Sequence, residues 1–324
     1  KNLYRELVDQ IETIPIRFII FPLGGYAFFR ETHEGGNEQS TWIGFKAGYI
    51  GGTAHKHCDD TSFVLYSRGQ DIFIDPGLYN YERTNKIRQY IVSSVAHNTI
   101  MVDQKPFTCP IFNANRTGFL DWDSKTQYDY ILGTNGLYPE VSINRHLYYI
   151  RPYTVIIFDD ILAEEEHSYS QLFHLNENIK VRPVTNKEVI LELADQTSIV
   201  RIRQFNRIED FRIHRGDLEN ERLGKISRHW NQIIPTNTLE FTTVGKNSSF
   251  ITILTIENRE TGYEATSRIR YIPDTNIIDI EDANTKRISI RLNSRSREIP
   301  SRRTYGTVYS QTGVPIKVII DPIS

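Results

Sequence analysis

The sequence predicts an all-β protein, a large antiparallel multi-sheet sandwich of the super-sandwich kind, with one short helix at its start. Three observations predict it. Apolar and polar residues alternate with period two, the alternating segments are rich in β-branched and aromatic residues, and turn-forming residues separate them at short intervals.

The helix comes first: Leu3, Leu7, Ile11 and Ile14 recur at steps of four and three, a stripe that buries one face, and Pro15 ends it. Strands are then expected at Thr61–Tyr66, Asp71–Asp75, Tyr148–Ile161, Val189–Leu193, Ser198–Phe205, Thr238–Val244 and Phe250–Ile256. Others are expected at Ser267–Ile272, Ile277–Ile280, Arg287–Leu292 and Ile316–Ile320. Turn residues at Ser67–Gln70, Ser248-Ser249, Asp282–Thr285 and Thr312–Pro315 punctuate them. Many antiparallel strands with short turns imply stacked sheets. The stretch Asp217–Ile234, with Leu218, Leu223, Ile226, Trp230 and Ile233, reads equally as a helix or an irregular insertion. Residues 1–20 are expected to be a connector and 21–324 the β region, in which a smaller sandwich could start near 235.

Among the 324 residues, 38 Lys+Arg stand against 40 Asp+Glu, a formal charge of −2. That balance lacks the basic surplus that nucleic-acid or polybasic membrane-surface binding needs. With 39% hydrophobic and 24% charged residues the chain is globular material rather than disordered. The longest apolar stretch, near Ile14–Phe21, is interrupted by Pro15 and Arg17 and stopped by Pro22, so no membrane-spanning helix is predicted. Cys58 and Cys109 are too few for a disulfide scaffold and allow one bridge. The chain starts at Lys1 without a visible signal peptide, so its start is expected to be cut from something longer.

Polar chemistry concentrates between positions 51 and 103. Gly51-Gly-Thr-Ala-His55-Lys-His57-Cys-Asp-Asp60 leads into two strands, Asp75-Pro-Gly77 follows, then a polar loop with Arg83, Lys86 and Arg88, then Ser93-Ser-Val-Ala-His97-Asn-Thr99. In an extended segment residues two apart face the same way, so His55 and His57 can point into one site. The Ser67–Gln70 hairpin returns the chain toward His57 by Asp75. Two imidazoles and a carboxylate make three zinc ligands with a fourth position open, and His57, Asp75 and His97 are the best candidates. The alternative is ordinary: a hydrogen-bonded histidine at a strand end, and Asp-Pro-Gly as a turn. Spacing alone does not separate the two.

The run His55-Lys-His57-Cys-Asp-Asp-Thr-Ser-Phe63, then Gly69, Phe73-Ile-Asp-Pro-Gly77, Tyr79, Tyr81, Tyr90, Ser94, Ala96-His-Asn-Thr99 and Val102-Asp103, resembles the signature of the heparinase II/III-like polysaccharide lyases. The resemblance is sharp over Gly51–Asp103 and weaker over Phe21–Arg30 and Arg151–Ile161. It implies a helical toroid joined to a C-terminal stack of antiparallel sheets, and cleavage of uronate-containing polysaccharide by β-elimination. It also implies Zn2+ bound by His57, Asp75 and His97, with His55 facing the substrate cleft as a base or stabiliser. The family takes its catalytic tyrosine and its carboxylate-neutralising residue from the toroid, which is expected to be missing from the sequence 1–324. The stretch Leu3–Ile14 resembles the toroid's last helix or the connector after it, so the isolated chain is expected to be inactive. By the same resemblance the partner is an acidic polysaccharide and the location secreted, periplasmic or cell-surface.

Arg83, Lys86 and Arg88 are candidates to meet carboxylate or sulfate groups, or else form a solvated loop. Tyr79, Tyr81 and Tyr90 are candidates to stack on sugar rings, or else pack in the sheet. Two other functions compete. A cupin-like metal enzyme would use His55, His57 and His97, but a cupin's glutamate is missing where Thr61 and Ser62 stand. A non-catalytic carbohydrate-binding or structural β-sandwich is the other. No nucleophile elbow, phosphate loop or dinucleotide fingerprint is present.

Overall fold

Alternation of side chains along each extended segment lets one strand feed two cores, and the chain uses this in three layers. The computed structural model describes residues 17–31, 40–48, 55–216, 223–258, 268–281, 286–292 and 318–322. The helix expected at Leu3–Ile14 and the turns expected at 282–285 and 312–315 lie outside them. Among the described residues no helix is long and apolar enough to cross a membrane.

The first sheet has five strands in sequential order: β1 (Phe18–Phe21), β2 (Tyr26–Arg30), β3 (Trp42–Lys46), β4 (Ser62–Ser67) and β5 (Gln70–Phe73). A six-residue helix, α1 (Lys86–Ile91), follows. The second sheet takes β6 (Ile100–Val102), β7 (Thr117–Ser124), β8 (Tyr128–Asn135), β9 (Val141–Ile150), β10 (Thr154–His174), β11 (Lys180–Pro183), β12 (Glu188–Glu192), β13 (Ser198–Gln204) and β14 (Asp210–Arg215). After a two-stranded insertion, β15 (Lys225–Ile226) with β16 (Ile234–Pro235), its tenth strand is β17 (Asn237–Asn258). The third sheet holds β18 (Arg268–Ile272), β19 (Ile277–Glu281), β20 (Lys286–Arg291) and β21 (Val318–Pro322).

The ten-stranded sheet is the middle layer. Ile131, Leu147, Tyr149, Val155 and Ile157 face the first sheet and pack on Phe29, Phe45 and Phe63. Their neighbours Tyr130, Leu132, Tyr148, Ile156 and Phe158 face the other way, onto Ile278, Ile280 and Ile290 of the third sheet. Burial on both faces explains why β8 and β9 are buried along their whole length. The layers approach closely at Gly133, where an added Cβ would stand 2.9 Å from the Phe45 ring.

The all-β super-sandwich expected from sequence is what the chain forms. Several boundaries differ. The run Tyr148–Ile161 is two strands, β9 and β10, because Pro152 at the turn cannot donate a ladder hydrogen bond. Ser248-Ser249 is no turn: both residues pair with β10, opposite Ile161 and Asp160, and Thr238–Val244 and Phe250–Ile256 merge into β17. Position 235 does not begin a separate sandwich either, since β17 pairs with β10, β13 and β14 at the centre of the large sheet; the separate sheet begins at Arg268. The described part of Asp217–Ile234 is an irregular insertion around β15 and β16, not a helix.

One polar group crosses the first core. Arg145 and Asp159, opposite each other on β9 and β10 and both fully buried, make a bidentate pair at 2.6 and 2.8 Å. Arg145 Nη1 also donates to the carbonyls of Thr61 (2.8 Å) and Asn98 (2.6 Å), while Gln171 donates to Asp159 Oδ2 at 2.9 Å. The guanidinium thus ties the large sheet to two loops. Removing one partner of such a pair strands a buried charge, a loss of about 3–5 kcal/mol. Arg145→Met is accordingly expected to destabilise the fold by about that much in urea unfolding; a change under about 1 kcal/mol would contradict the role given to the pair.

Candidate metal centre

The site assembles where β5 runs out beside the end of β10. The Ile74 amide donates to the His174 carbonyl at 3.0 Å, and the chain then turns at Asp75-Pro-Gly77. In that turn the Gly77 amide donates to Asp75 Oδ1 at 2.8 Å. Gly77 has φ +80, and a Cβ there would stand 2.1 Å from the Ser227 carbonyl oxygen, so the turn requires glycine. It leaves Oδ2 of Asp75 toward the histidines.

His97 follows a single 3-10 turn, Ser94–Ala96. Its Nδ1 lies 2.8 Å from the Ser93 carbonyl, an acceptor only, which assigns the proton to Nδ1 and the lone pair to Nε2. Nε2 lies 3.2 Å from His57 Nδ1 and 3.4 Å from Asp75 Oδ2. His57 is held by its own loop. Cys58 is disulfide-bonded to Cys109, and its amide donates to the Val92 carbonyl at 2.8 Å. Lys46 pairs with Asp59 at 2.6 Å and Lys56 with the buried Asp60 at 3.2 Å. A bridge closing a loop of 51 residues restricts the unfolded chain by about 4 kcal/mol.

Asn98 connects these pieces. Fully buried, it donates through Nδ2 to the carbonyls of Phe63 (2.8 Å) and Ile74 (3.1 Å), and its Oδ1 accepts the His174 amide at 2.6 Å. One side chain therefore links β4, the residue before Asp75 and the end of β10 to the residue after His97.

His57, Asp75 and His97 each offer one ligand atom, and the three atoms lie within 4.8 Å of one another. Two donors bound to a tetrahedral ion at about 2.1 Å stand about 3.4 Å apart, so the separations of 3.2 and 3.4 Å suit a divalent metal ion. Burial lowers the His57 imidazole to about 4, helped by the charge of His97. Burial acts upward on Asp75, but the hydrogen bond and charge of His97 and the Gly77 amide outweigh it and bring the carboxyl down to about 2. Burial would lower His97, yet its contact with Asp75 prevails and raises it. Behind it, burial and the charge of His97 lower the fully buried His174 to about 3, which keeps it neutral.

The other expected site residues divide. His55 is exposed outside the donor group, its ring edge-on to Tyr81 with centroids 5.2 Å apart. The cupin-like set, which needs His55 as a ligand, is not what the loop arranges. Arg83 and Lys86 are exposed, whereas Arg88 turns inward from α1 and is 7% exposed. The polar loop is partly this helix because Asn85 Oδ1 accepts the amides of Ile87 and Arg88. Tyr79 is half-buried, and Tyr90 packs with Val95 against Met101, Leu172 and Leu223, its hydroxyl buried. Of the three tyrosines only Tyr81 is exposed. Sequence reasoning passed over Asn98 as a structural link and Trp230 as a neighbour of Tyr81. Asn98 stood in the quoted signature without a role; nothing local marked Trp230.

The family model described as Heparinase II/III-like, C-terminal, matches residues 14–283, and the chain belongs to that family. A heparin-sulfate lyase of Pedobacter heparinus is 22% identical over 210 residues, covering 63% of this chain and 30% of that protein. The crystal structure of a heparan sulfate lyase from Pedobacter heparinus superposes with a TM-score of 0.68 at 17% identity, over 82% of this chain and 40% of that one. A heparinase III structure gives 0.69 at 16% identity, over 86% and 44%. The chain thus spans well under half the length of these relatives.

In the metal-free protein the two facing imidazoles are expected to titrate in separate steps, one above pH 6.5 weighted to His97 and one near 4 weighted to His57. Because the folded value of His57 lies below its unfolded value, its contribution favours folding above about pH 6.5 and is lost as the pH falls toward 4. Ring-proton NMR across pH 3–8 reads both steps. A single merged step near 6.5 would contradict the geometry.

Proposed function

We propose that this chain is the β-sheet part of a lyase that cleaves uronate-containing polysaccharide by β-elimination, with zinc on His57, Asp75 and His97. The observation that carries the reading is the convergence of those three donors in a member of this family, with His55 exposed beside them. Two relatives whose names specify heparin or heparan sulfate favour a sulfated uronate polymer.

β-Elimination removes the proton next to the uronate carboxylate and breaks the bond from the neighbouring carbon to the glycosidic oxygen, leaving an unsaturated uronate. It needs carboxylate neutralisation, a base and an acid. In this reading His55 works at the cleft wall as base or stabiliser, next to Tyr81. His57, Asp75 and His97 would hold zinc through Nδ1, Oδ2 and Nε2, with Ser93 setting the His97 tautomer and Gly77 orienting Asp75. When bound, the ion supplies a divalent link between the His57 loop, the Asp75 turn and the His97 turn. The opposite wall is assigned to a helical toroid in the parent. The Cys58–Cys109 bridge supports an oxidising location: secreted, periplasmic or cell-surface.

The chain is expected to hold close to one zinc after dialysis, measured by elemental analysis, and a chelator is expected to lower its melting temperature. His57→Ala should lose the metal and His55→Ala should keep it. Zinc retained by His57→Ala, or lost from His55→Ala, would overturn the ligand assignment. Ligand deprotonation sets the pH dependence: zinc uptake weakens as the pH falls through the raised His97 value.

Residues 1–324 alone are expected to release no unsaturated uronate ends from heparin, heparan sulfate, hyaluronan, alginate or chondroitin sulfate, followed by ultraviolet absorbance. The reaction needs groups on both sides of the sugar, and misplacing one by about 1 Å already costs about 10²-fold. Robust turnover by this chain would show that the sheet wall holds a complete site.

A further inference from the structure

Between Asp75 and Trp230 lies a pocket of ≈ 400 Å³, floored by Pro76 and Gly77 and walled by the insertion between β15 and β16. The insertion is sewn to the Asp75 turn. The Ser227 amide donates to the Pro76 carbonyl (2.7 Å), the Asn231 amide to the Tyr79 carbonyl (2.9 Å), Asn80 Nδ2 to Asn231 Oδ1 (2.7 Å) and Ser227 Oγ to the Leu78 carbonyl (2.9 Å). A segment held this firmly nevertheless leaves its largest apolar side chain in water: Trp230 is 56% exposed, and Tyr81, with its ring centroid 5.5 Å away, is 47% exposed. His55 also meets Tyr81, edge-on with ring centroids 5.2 Å apart. Rigidly supported, solvent-exposed rings beside a cavity mark a binding surface.

The charges around the pocket say what it takes. The guanidinium of Arg228 is already bound bidentately by Glu177, at 3.1 and 2.8 Å, and Asp75 is the other charged residue among those lining the pocket. Trp230 lines the pocket, Tyr81 packs against its ring, and the lining holds no uncommitted cation cluster, which suits the C–H face of a pyranose ring rather than a sulfate or carboxylate. We infer that Trp230 and Tyr81 form a saccharide subsite next to the metal centre, which stacks one pyranose ring of the polymer and recognises the ring rather than its charge. The inference deepens the lyase reading and rests on it for the polymer, but not for the stacking contact.

Isothermal titration calorimetry, which reads affinity in parent and variants alike, tests it on the intact chain, with intrinsic tryptophan fluorescence of the parent as a second readout and unsulfated uronate oligosaccharides, heparan sulfate oligosaccharides and uncharged β-glucan oligosaccharides as probes. Saturable quenching is expected with unsulfated and sulfated uronate probes alike, changing less than about threefold in affinity between about 50 and 500 mM salt. Trp230→Ala is expected to lose at least about tenfold in affinity, while Trp230→Phe stays within a few-fold, and both should keep the parental circular dichroism. Trp42→Phe should keep the full response. Trp230→Ala binding as tightly as the parent, strict dependence on sulfation or steep loss with salt, or no quenching by any probe would each overturn the subsite. If zinc is absent and β-glucan quenches through Trp230, the subsite stands and the lyase reading fails.

Discussion

Asn98 is the constraint on which the site depends. Buried without access to water, its amide has to find partners within the protein, and those it finds are the backbones of β4, Ile74 and His174. Its own carbonyl accepts from Arg145, so the residue after His97 and the residue before Asp75 are referred to one frame, the ion pair of β9 and β10. Leaving any of these groups unsatisfied would cost about 1–3 kcal/mol each, which is what keeps two loops from separate parts of the chain in register. The three candidate donors are loop residues, yet they inherit the rigidity of the middle sheet.

The local devices around that frame are inexpensive and specific. Gly77 lets the Asp75 turn close against Ser227, Ser93 sets the lone pair of His97, and Cys58 with the Lys56–Asp60 pair holds His57 from behind. The result is three donors facing one point with opposed proton affinities: His57 resists protonation, and Asp75 raises His97. A divalent ion bound there would satisfy both imidazoles and the carboxylate at once, which one shared proton cannot do.

Much of this was legible in the sequence, for different reasons. Strand periodicity gave the fold class because tertiary burial and local pattern agree along most strands. It misjudged Ser248-Ser249 because the central strand overrides turn chemistry there, and it missed α1 because only Asn85 announces it. The convergence of His57, Asp75 and His97 was legible through the order of the motif blocks, not through their spacing. Tyr90 stands in the same blocks and Arg88 in the polar loop between them, but their direction depends on which face meets the core, and both turn inward. Trp230 was illegible as a site residue because its proximity to Tyr81 is created by backbone and side-chain hydrogen bonds between segments some 150 residues apart.

The central claim is that this buried frame presents a three-donor metal centre. X-ray absorption at the zinc edge of the metal-loaded chain tests it most directly. The account predicts two imidazole nitrogens and one carboxylate oxygen at about 2.0–2.2 Å, with one further light ligand, in a four-coordinate shell that Asn98→Ala disorders. A six-coordinate oxygen shell, or a single imidazole that is indifferent to His57 and His97, would contradict it.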